Sequence, residues 1–370
     1  MVFPVMMTLG MHYEGATPAL LGAALGIYGL TQAVFQLPLG MASDRWGRKP
    51  IIALGLGVFA FGSIVAGMSD TIWGLLIGRA LQGAGAIASA TMALVGDLTS
   101  ERNRTKAMAI IGVSIGVSFS LAMVLGPIIA ARGGLPMIFW VSVALAAFGL
   151  MVLFLKIPTP VPSTESIQKV APEGFGQMLT ASLKDRSLLR LDLGIFVLHF
   201  ILTALFVVMP SMLIDVGLDA AHHWRFYLPV MIAAFLLMLP FIYLAERKGH
   251  FKPIFLGAIV LIGVAHVILM LVSGYMAVVA TLLFFFVAFN LLEATLPSLV
   301  SKVAGVSSKG TAMGVYSTSQ FLGAALGGVF AGQLYTHIGP PGVFSIGIGL
   351  SIIWALAAMG MTVPTARPKN

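Results

Sequence analysis

The sequence predicts an all-α membrane protein built as two six-helix bundles, and three observations carry that expectation. Eleven apolar stretches of about 18 to 25 residues recur along the chain, each long enough to cross a hydrocarbon core of about 30 Å as a helix. Of the 21 lysines and arginines, 18 fall in alternate gaps between those stretches, the asymmetry that orients membrane helices. A polar segment at 156–189 divides the predicted helices evenly, and two short motifs repeat across it at offsets of 202 and 205 residues.

Composition excludes other classes. A hydrophobic fraction of 59%, 9% charged residues and a mean hydropathy of +1.01 give more apolar surface than a soluble domain can bury. The formal charge of +8 sits in short gaps and forms no continuous basic face, which argues against nucleic acid. Zero cysteines leave no disulfide framework or thiolate metal site, and seven histidines without ligand spacing give no reason to expect a metal. Nothing pairs a nucleophile with a base or cradles a phosphate, so an enzyme is not expected.

In chain order, the opening "MVFPVMMTLGM" reaches only about 16 Å as a helix, half a membrane. It also lacks the basic region and cleavage site of a signal peptide. The full stretches follow at 19–43, 51–68, 73–96, 107–130, 137–155, 190–214, 224–245, 254–272, 276–299, 312–334 and 343–363. Basic residues place the 44–50 loop, the 156–189 linker and the C-terminus in the cytoplasm. The opening segment must then also come from the cytoplasmic side. The expectation is that the first helix is incomplete in this sequence, because a half-helix would leave backbone groups unsatisfied in lipid. The predicted units are therefore residues 1–155, a six-helix bundle with helix one incomplete; 156–189, a Pro- and Ser-rich linker with a short interfacial helix near Phe175–Lys184; and 190–370, a second six-helix bundle with a short tail.

The repeat supports parallel halves. "SDRWGRKPI" after the second helix is echoed by "AERKGHFKPI" after the eighth, setting Asp44, Arg45 and Gly47 against Glu246, Arg247 and Gly249. "KAMAIIGVSIG" opening the fifth helix is echoed by "GTAMGVYSTSQ" opening the eleventh. Small-residue pairs, Gly112 with Gly116 in helix five and Gly323 with Gly327 in helix eleven, predict close helix contacts.

These residues resemble the major facilitator superfamily, specifically its drug:proton antiporter branch. "GMASDRWGRKP", with Gly40, Asp44, Arg45, Gly47, Arg48 and Lys49, is similar to the signature loop between helices two and three. "RALQGAG", with Arg79, Gln82 and Gly83, is similar to a second signature in helix four. Gly126-Pro127 resembles the core of the antiporter signature in helix five, although Ala130 and Ala131 stand where paired glycines usually follow. The resemblance implies a secondary transporter in the inner membrane with both termini of the full-length chain cytoplasmic, working by alternating access with no cofactor beyond the proton as coupling ion. It implies proton-driven efflux of a small molecule. A nutrient or sugar symporter of the same fold and a non-transporting receptor or scaffold remain alternatives. Expected partners are a small-molecule substrate, protons and the lipid bilayer, with the protein a monomer.

Three groups of candidate residues follow. In the 40–49 loop, Asp44 can sit at a helix N-terminus and Arg48 can pair in bidentate fashion with Asp97. The resemblance implies that this cluster latches the halves through the start of helix eleven. Arg79 lies about 9 Å inside helix four, where an ion costs about 2.5–3.5 kcal/mol on insertion scales. It therefore needs polar partners, with Gln82, Gln32 and Gln36 as candidates and as cavity residues; a structural polar knot is one reading of Arg79, and the resemblance implies a part in substrate or proton coupling. For proton coupling, helices seven and ten offer His199 and Glu293, with Asp192 and Asn290 on the same faces as further cavity candidates. Apolar surroundings bring carboxyl and imidazole groups toward neutral titration. His266, in helix nine, reads as structural.

Overall fold

The computed structural model describes residues 1–159, 179–248, 250–304 and 309–361, without the side chains of residues 101, 102, 104–106, 108, 109, 112, 113, 246, 247 and 309. Most of the linker, Gly249, residues 305–308 and the tail from 362 thus lie outside the described residues. So do the side chains of Arg102, Arg104, Lys106, Glu246 and Arg247, on which the charge pattern and the loop repeat partly rest. A short helix, α1 (Met6–Leu9), and a 3-10 turn precede α2 (Pro18–Trp46), α3 (Arg48–Met68), α4 (Ile72–Ala84), α5 (Ala88–Leu98) and α6 (Glu101–Leu155). After the linker, where residues 179–184 are helical, come α7 (Arg186–Asp215), α8 (Trp224–Arg247), α9 (Phe251–Leu271), α10 (Tyr275–Val303), α11 (Lys309–His337) and α12 (Pro340–Met359).

Local chemistry sets the boundaries. Thr17 caps α2 by accepting from the Leu20 N–H, with Pro18 in the first turn, and Thr71 caps α4 through the Gly74 N–H, satisfying donors that a helix start leaves free. Gly47 turns the chain from α2 into α3 in one residue at φ 95°, a left-handed conformation that a side chain would strain. Helix α6 is two spans end to end, broken at Gly133 and Gly134 (φ 67°, ψ −168°) just before Pro136, whose missing N–H prevents a continuous ladder. The stretch 73–96, expected as one helix, is instead α4 and α5 separated by residues 85–87. Gly85 lies against the backbone of Gly55 in α3 and beside Phe59, so the break lets two backbones touch.

Among the described residues, eight helices are by themselves long and apolar enough to span a membrane. With α6 counted as two spans, α4 and α5 as one, and the more polar α11 added, the crossings match the eleven apolar stretches. The outer helices carry exposed Phe61, Leu145, Leu236, Leu271 and Ile353, as surfaces facing lipid should. By contrast α7 is the buried helix, with 83% of its apolar window inside the protein.

The two groups of helices meet along α2 and α11, which run antiparallel. Gly22, Gly26 and Gly29 of α2 lie against Gly328, Gly332, Ala325 and Phe321 of α11 at backbone contact. A Cβ on Gly29 would come within 2.7 Å of the Phe321 carbonyl, and one on Gly332 within 2.9 Å of the Pro18 carbonyl. Further along, Leu37 packs on Gly314. On its other side α11 sets Gly323 and Gly327 against the Phe196 and Phe200 carbonyls of α7. Helix five behaves differently: Gly112 is outside the described side chains, and Gly116 faces open space. The close contacts expected of the two glycine pairs are thus made by Gly323 and Gly327 of α11 and not by Gly116.

Candidate functional site

Three polar clusters interrupt the apolar interior and its ends. The first surrounds the 40–49 loop. Arg48 donates from Nε to Asp97 Oδ2 at 2.9 Å and from Nη1 to Ser43 Oγ at 2.8 Å, and it pairs with Asp44 one turn earlier. The expected bidentate pair with Asp97 is thus replaced by one guanidinium shared between two acids, because Asp44 and Ser43 on the preceding helix reach the other edge of the fork. Lys49 donates to the Ile157 carbonyl at 2.8 Å, tying the loop to the end of α6. Gly40 lies under Ser89, whose Oγ would be 2.9 Å from a Cβ there, so a small residue brings α2 onto α5. Arg45 points outward and exposed. The expected partner of Asp44, the start of helix eleven, begins at Lys309, whose side chain is outside the described residues, and the ion pair found for Asp44 is the one to Arg48.

The second cluster is centred on Arg79, seven residues into α4 and so about 10 Å from its start. Arg79 is only 6% exposed. Its Nε donates to the Ala24 carbonyl at 3.2 Å, its Nη1 to Gln82 Oε1 at 2.7 Å, and its guanidinium lies 4.5 Å from the Tyr28 ring centre. Gln82 then donates to Ser63 Oγ at 2.7 Å, and Ser63 to the Phe59 carbonyl at 2.8 Å. Gln82 and Ser63 each receive one hydrogen bond and give one, between a donor-only guanidinium and a carbonyl that ends the chain. Gln32 and Gln36 are not its partners: their side-chain oxygens are buried without one. They sit two and three turns beyond Ala24 on α2, out of the guanidinium's reach.

The third cluster joins α7, α10 and α11. His199, Glu293 and Gln320 all lie about 15–20 Å from the basic ends of their helices, near the middle of the bilayer core. Gln320 Nε2 is 2.8 Å from His199 Nε2 and donates to Glu293 Oε1 at 3.3 Å, while His199 Nε2 is 3.8 Å from Glu293 Oε2. One amide therefore bridges an imidazole and a carboxyl. As arranged, Gln320 donates to both, which suits a neutral imidazole; a proton on His199 Nε2 would require the amide to turn its oxygen toward the ring. Unlike the Arg79 chain, this one is incomplete, since His199 Nδ1 and Glu293 Oε2 have no partner. The His199 ring contacts Phe289 edge-on at 5.9 Å, and Phe289 stacks with Phe119 of α6 at 6.4 Å, so the cluster reaches the first group of helices.

The other candidates fall around these clusters. Asp192 lies two turns before His199 on α7, 6% exposed, with both carboxylate oxygens unpartnered. Asn290 is half-buried one turn before Glu293. Gly126, followed by Pro127 within α6, receives the Met1 carbonyl against its α-carbon. His266 bonds the Ile262 carbonyl through Nδ1 at 2.8 Å between Phe285 and Phe344. The sequence reading missed Gln320, Tyr28, Ser63 and Tyr316. Gln320 had a signal, being the one amide in the helical part of the repeated "GTAMGVYSTSQ". Ser63 and Tyr28 had none, since each matters only through what the fold sets beside it.

Two bundles of membrane-crossing helices, closely apposed along a glycine seam and carrying ionisable groups at mid-membrane depth, define a polytopic helical transporter fold. The profile of the Major Facilitator Superfamily matches residues 1–328. The chain belongs to that superfamily and is a membrane transporter. It is 49% identical over 365 residues to the inner membrane transport protein YajR of Escherichia coli K12, covering 98% of this chain and 80% of that one. It is 28% identical over 372 residues to multidrug resistance protein 2 of Bacillus subtilis 168, covering 95% and 90%. Among solved structures, the nucleoside transporter NupG superposes with a TM-score of 0.75 at 18% identity, covering 97% of this chain and 96% of that one. A bacterial homologue of the human lysosomal transporter Spinster superposes with a TM-score of 0.72 at 16% identity, covering 97% and 90%.

Proposed function

We propose that this transporter is an inner-membrane antiporter that exports small amphipathic or hydrophobic compounds in exchange for protons. The observation that carries the reading is the His199–Gln320–Glu293 cluster, in which two titratable groups share one amide and keep unpartnered polar atoms at mid-membrane depth. Ionisable residues there are costly and mark ion pathways. Glu293 and His199 take up and release the coupling proton, and each change of charge alters what Gln320 can bond. Because Gln320 belongs to α11, the helix that seams the halves, protonation biases the rocking that alternates access. A proton descending 100 mV supplies about 2.3 kcal/mol for this. The similarity to a protein named for multidrug resistance supports efflux. The Asp44–Arg48–Asp97 cluster, on the cytoplasmic face by the charge pattern, latches the conformation open to the outside. No cofactor is required, and a single chain suffices.

The test uses proteoliposomes with an internal pH dye and a panel of lipophilic cations and neutral dyes. Addition of a substrate should move protons in the opposite direction, and Glu293→Gln should remove that flux while the protein remains folded. Substrate movement without proton movement, or an unchanged flux in the variant, would refute the assignment.

A further inference from the structure

The third cluster does not end at Glu293. One turn before Gln320 on α11 stands Tyr316, 4% exposed, whose hydroxyl has no hydrogen-bond partner. Gly323 and Gly327 of α11 meet the Phe196 and Phe200 carbonyls of α7, a register that puts Tyr316 within about one turn of Asp192 along the pair. Asp192 is itself buried with two bare oxygens. Counted from the helix ends, Asp192 and Tyr316 lie about 10 Å from the basic face, while His199, Gln320 and Glu293 lie about 15–20 Å from it. Helical spacing stacks the two levels on common faces, Asp192 under His199 and Tyr316 under Gln320.

We propose that Asp192 and the Tyr316 hydroxyl form a second proton station, which relays the coupling proton between the His199–Glu293 pair and the basic face. The inference rests on the antiport reading above and adds the exit route to it. Three features argue for a working site over a packing accident. A buried carboxylate with no hydrogen bond or cation is unfavourable as an ion, so this position favours a bound proton while dry and releases it when water enters. Its surroundings offer no compensating charge among the described residues. Arg190 on the same helix donates instead to the Gly360 carbonyl, and α12, packed on α7 where Trp354 meets Gly194, has no titratable residue. By helix level, the titratable groups of the packed helices that come nearest Asp192 are Tyr316 on α11 and, about one turn higher, Glu293 on α10. Finally, a lone phenol beside two acids can accept one proton while giving up its own. The step balances as Glu293 carboxylic acid plus Asp192 carboxylate giving Glu293 carboxylate plus Asp192 carboxylic acid, with the phenol unchanged. Asp192 then returns to carboxylate by giving its proton to water at the basic face.

The experiment compares Asp192→Asn and Tyr316→Phe with the unaltered protein in proteoliposomes, using ethidium as probe. Ethidium movement driven by a pH gradient should fall at least about tenfold in D192N, and less in Y316F. Infrared difference spectra between neutral and alkaline pH should also show a protonated-carboxyl C=O band that D192N removes and Y316F shifts. Undiminished gradient-driven movement in D192N, or a band identical in all three proteins, would overturn the relay. If the unaltered protein moves ethidium without protons, the antiport reading fails by itself, and the infrared band still decides whether Asp192 binds a proton. Y316F removes one oxygen from a packed ring, so it reports even if D192N fails to fold.

Discussion

The Arg79 cluster and the Glu293 cluster are both polar islands in apolar helices, yet they are finished to different degrees. Around Arg79 a permanent cation donates to Ala24 and Gln82, has a ring under its face, and starts a chain of hydrogen bonds that continues through Ser63. Around Glu293 the groups are ones that can carry or lose a proton, one amide serves two partners, and polar atoms on His199, Glu293, Asp192 and Tyr316 lack a hydrogen bond. A saturated cluster has one low-energy arrangement and fixes α2, α3 and α4 together. An unsaturated cluster of titratable groups has several arrangements close in energy, which a proton can select between.

The largest effect expected from this contrast is a division of phenotypes. Glu293→Gln should bring gradient-driven transport to the level of empty vesicles while leaving thermal unfolding in detergent almost unchanged. Arg79→Ala should do the reverse first, lowering stability by about 3 kcal/mol or more, since the Ala24 carbonyl and Gln82 lose their donor and each unsatisfied buried group costs about 1–3 kcal/mol. A stable R79A protein with intact hydrogen bonding would erase the distinction. Arg79→Lys should recover only part of the loss, because an ammonium cannot reproduce the fork or lie flat on Tyr28.

A smaller effect concerns the seam that joins the two islands. Gly26→Val puts a branched side chain where the Ala325 carbonyl already touches the α-carbon, so α2 and α11 must part. The absence of native cysteine makes the readout clean: cysteine pairs introduced beside the seam should crosslink less in G26V. Unaltered crosslinking would mean that the glycines are not what holds the helices together.

The smallest concerns His223, which precedes α8 at the end of the α7–α8 loop. Burial lowers its pKa, partly offset by the hydrogen bond to the Leu218 carbonyl. The unfolded chain therefore binds a proton there more readily than the folded one. Its contribution to stability is full above about pH 6.5 and declines as pH falls through that value. Thermal unfolding followed from about pH 7.5 to 5 should show a drop that His223→Gln reduces, and an identical drop in the variant would assign the effect elsewhere.

Much of this architecture was legible in the sequence because its causes are local. Hydrocarbon thickness sets the length of each apolar run, and Gly47 and Thr17 announce helix junctions through their own backbone and side-chain chemistry. Asp44, Arg48 and Asp97 could be paired from charge at neighbouring helix ends, although the sharing of one guanidinium with Ser43 could not. His199 and Glu293 stood out as rare ions in apolar helices. The break at residues 85–87 was hidden, because it answers the approach of Gly55 from another helix. Gln32 and Gln36 were plausible partners for Arg79 by composition and were passed over by axial position.

By itself the sequence determined that the chain crosses a membrane repeatedly, which gaps carry the positive charge, and which ionisable residues lie at costly depth. Those properties follow from transfer free energies, which act residue by residue. Only the tertiary structure decided that Gln320 bridges His199 to Glu293, that Ser63 completes the chain from Arg79, and that α2 meets α11 along glycines. Such relations depend on the rotation and approach of helices far apart in the chain, and no local preference encodes them.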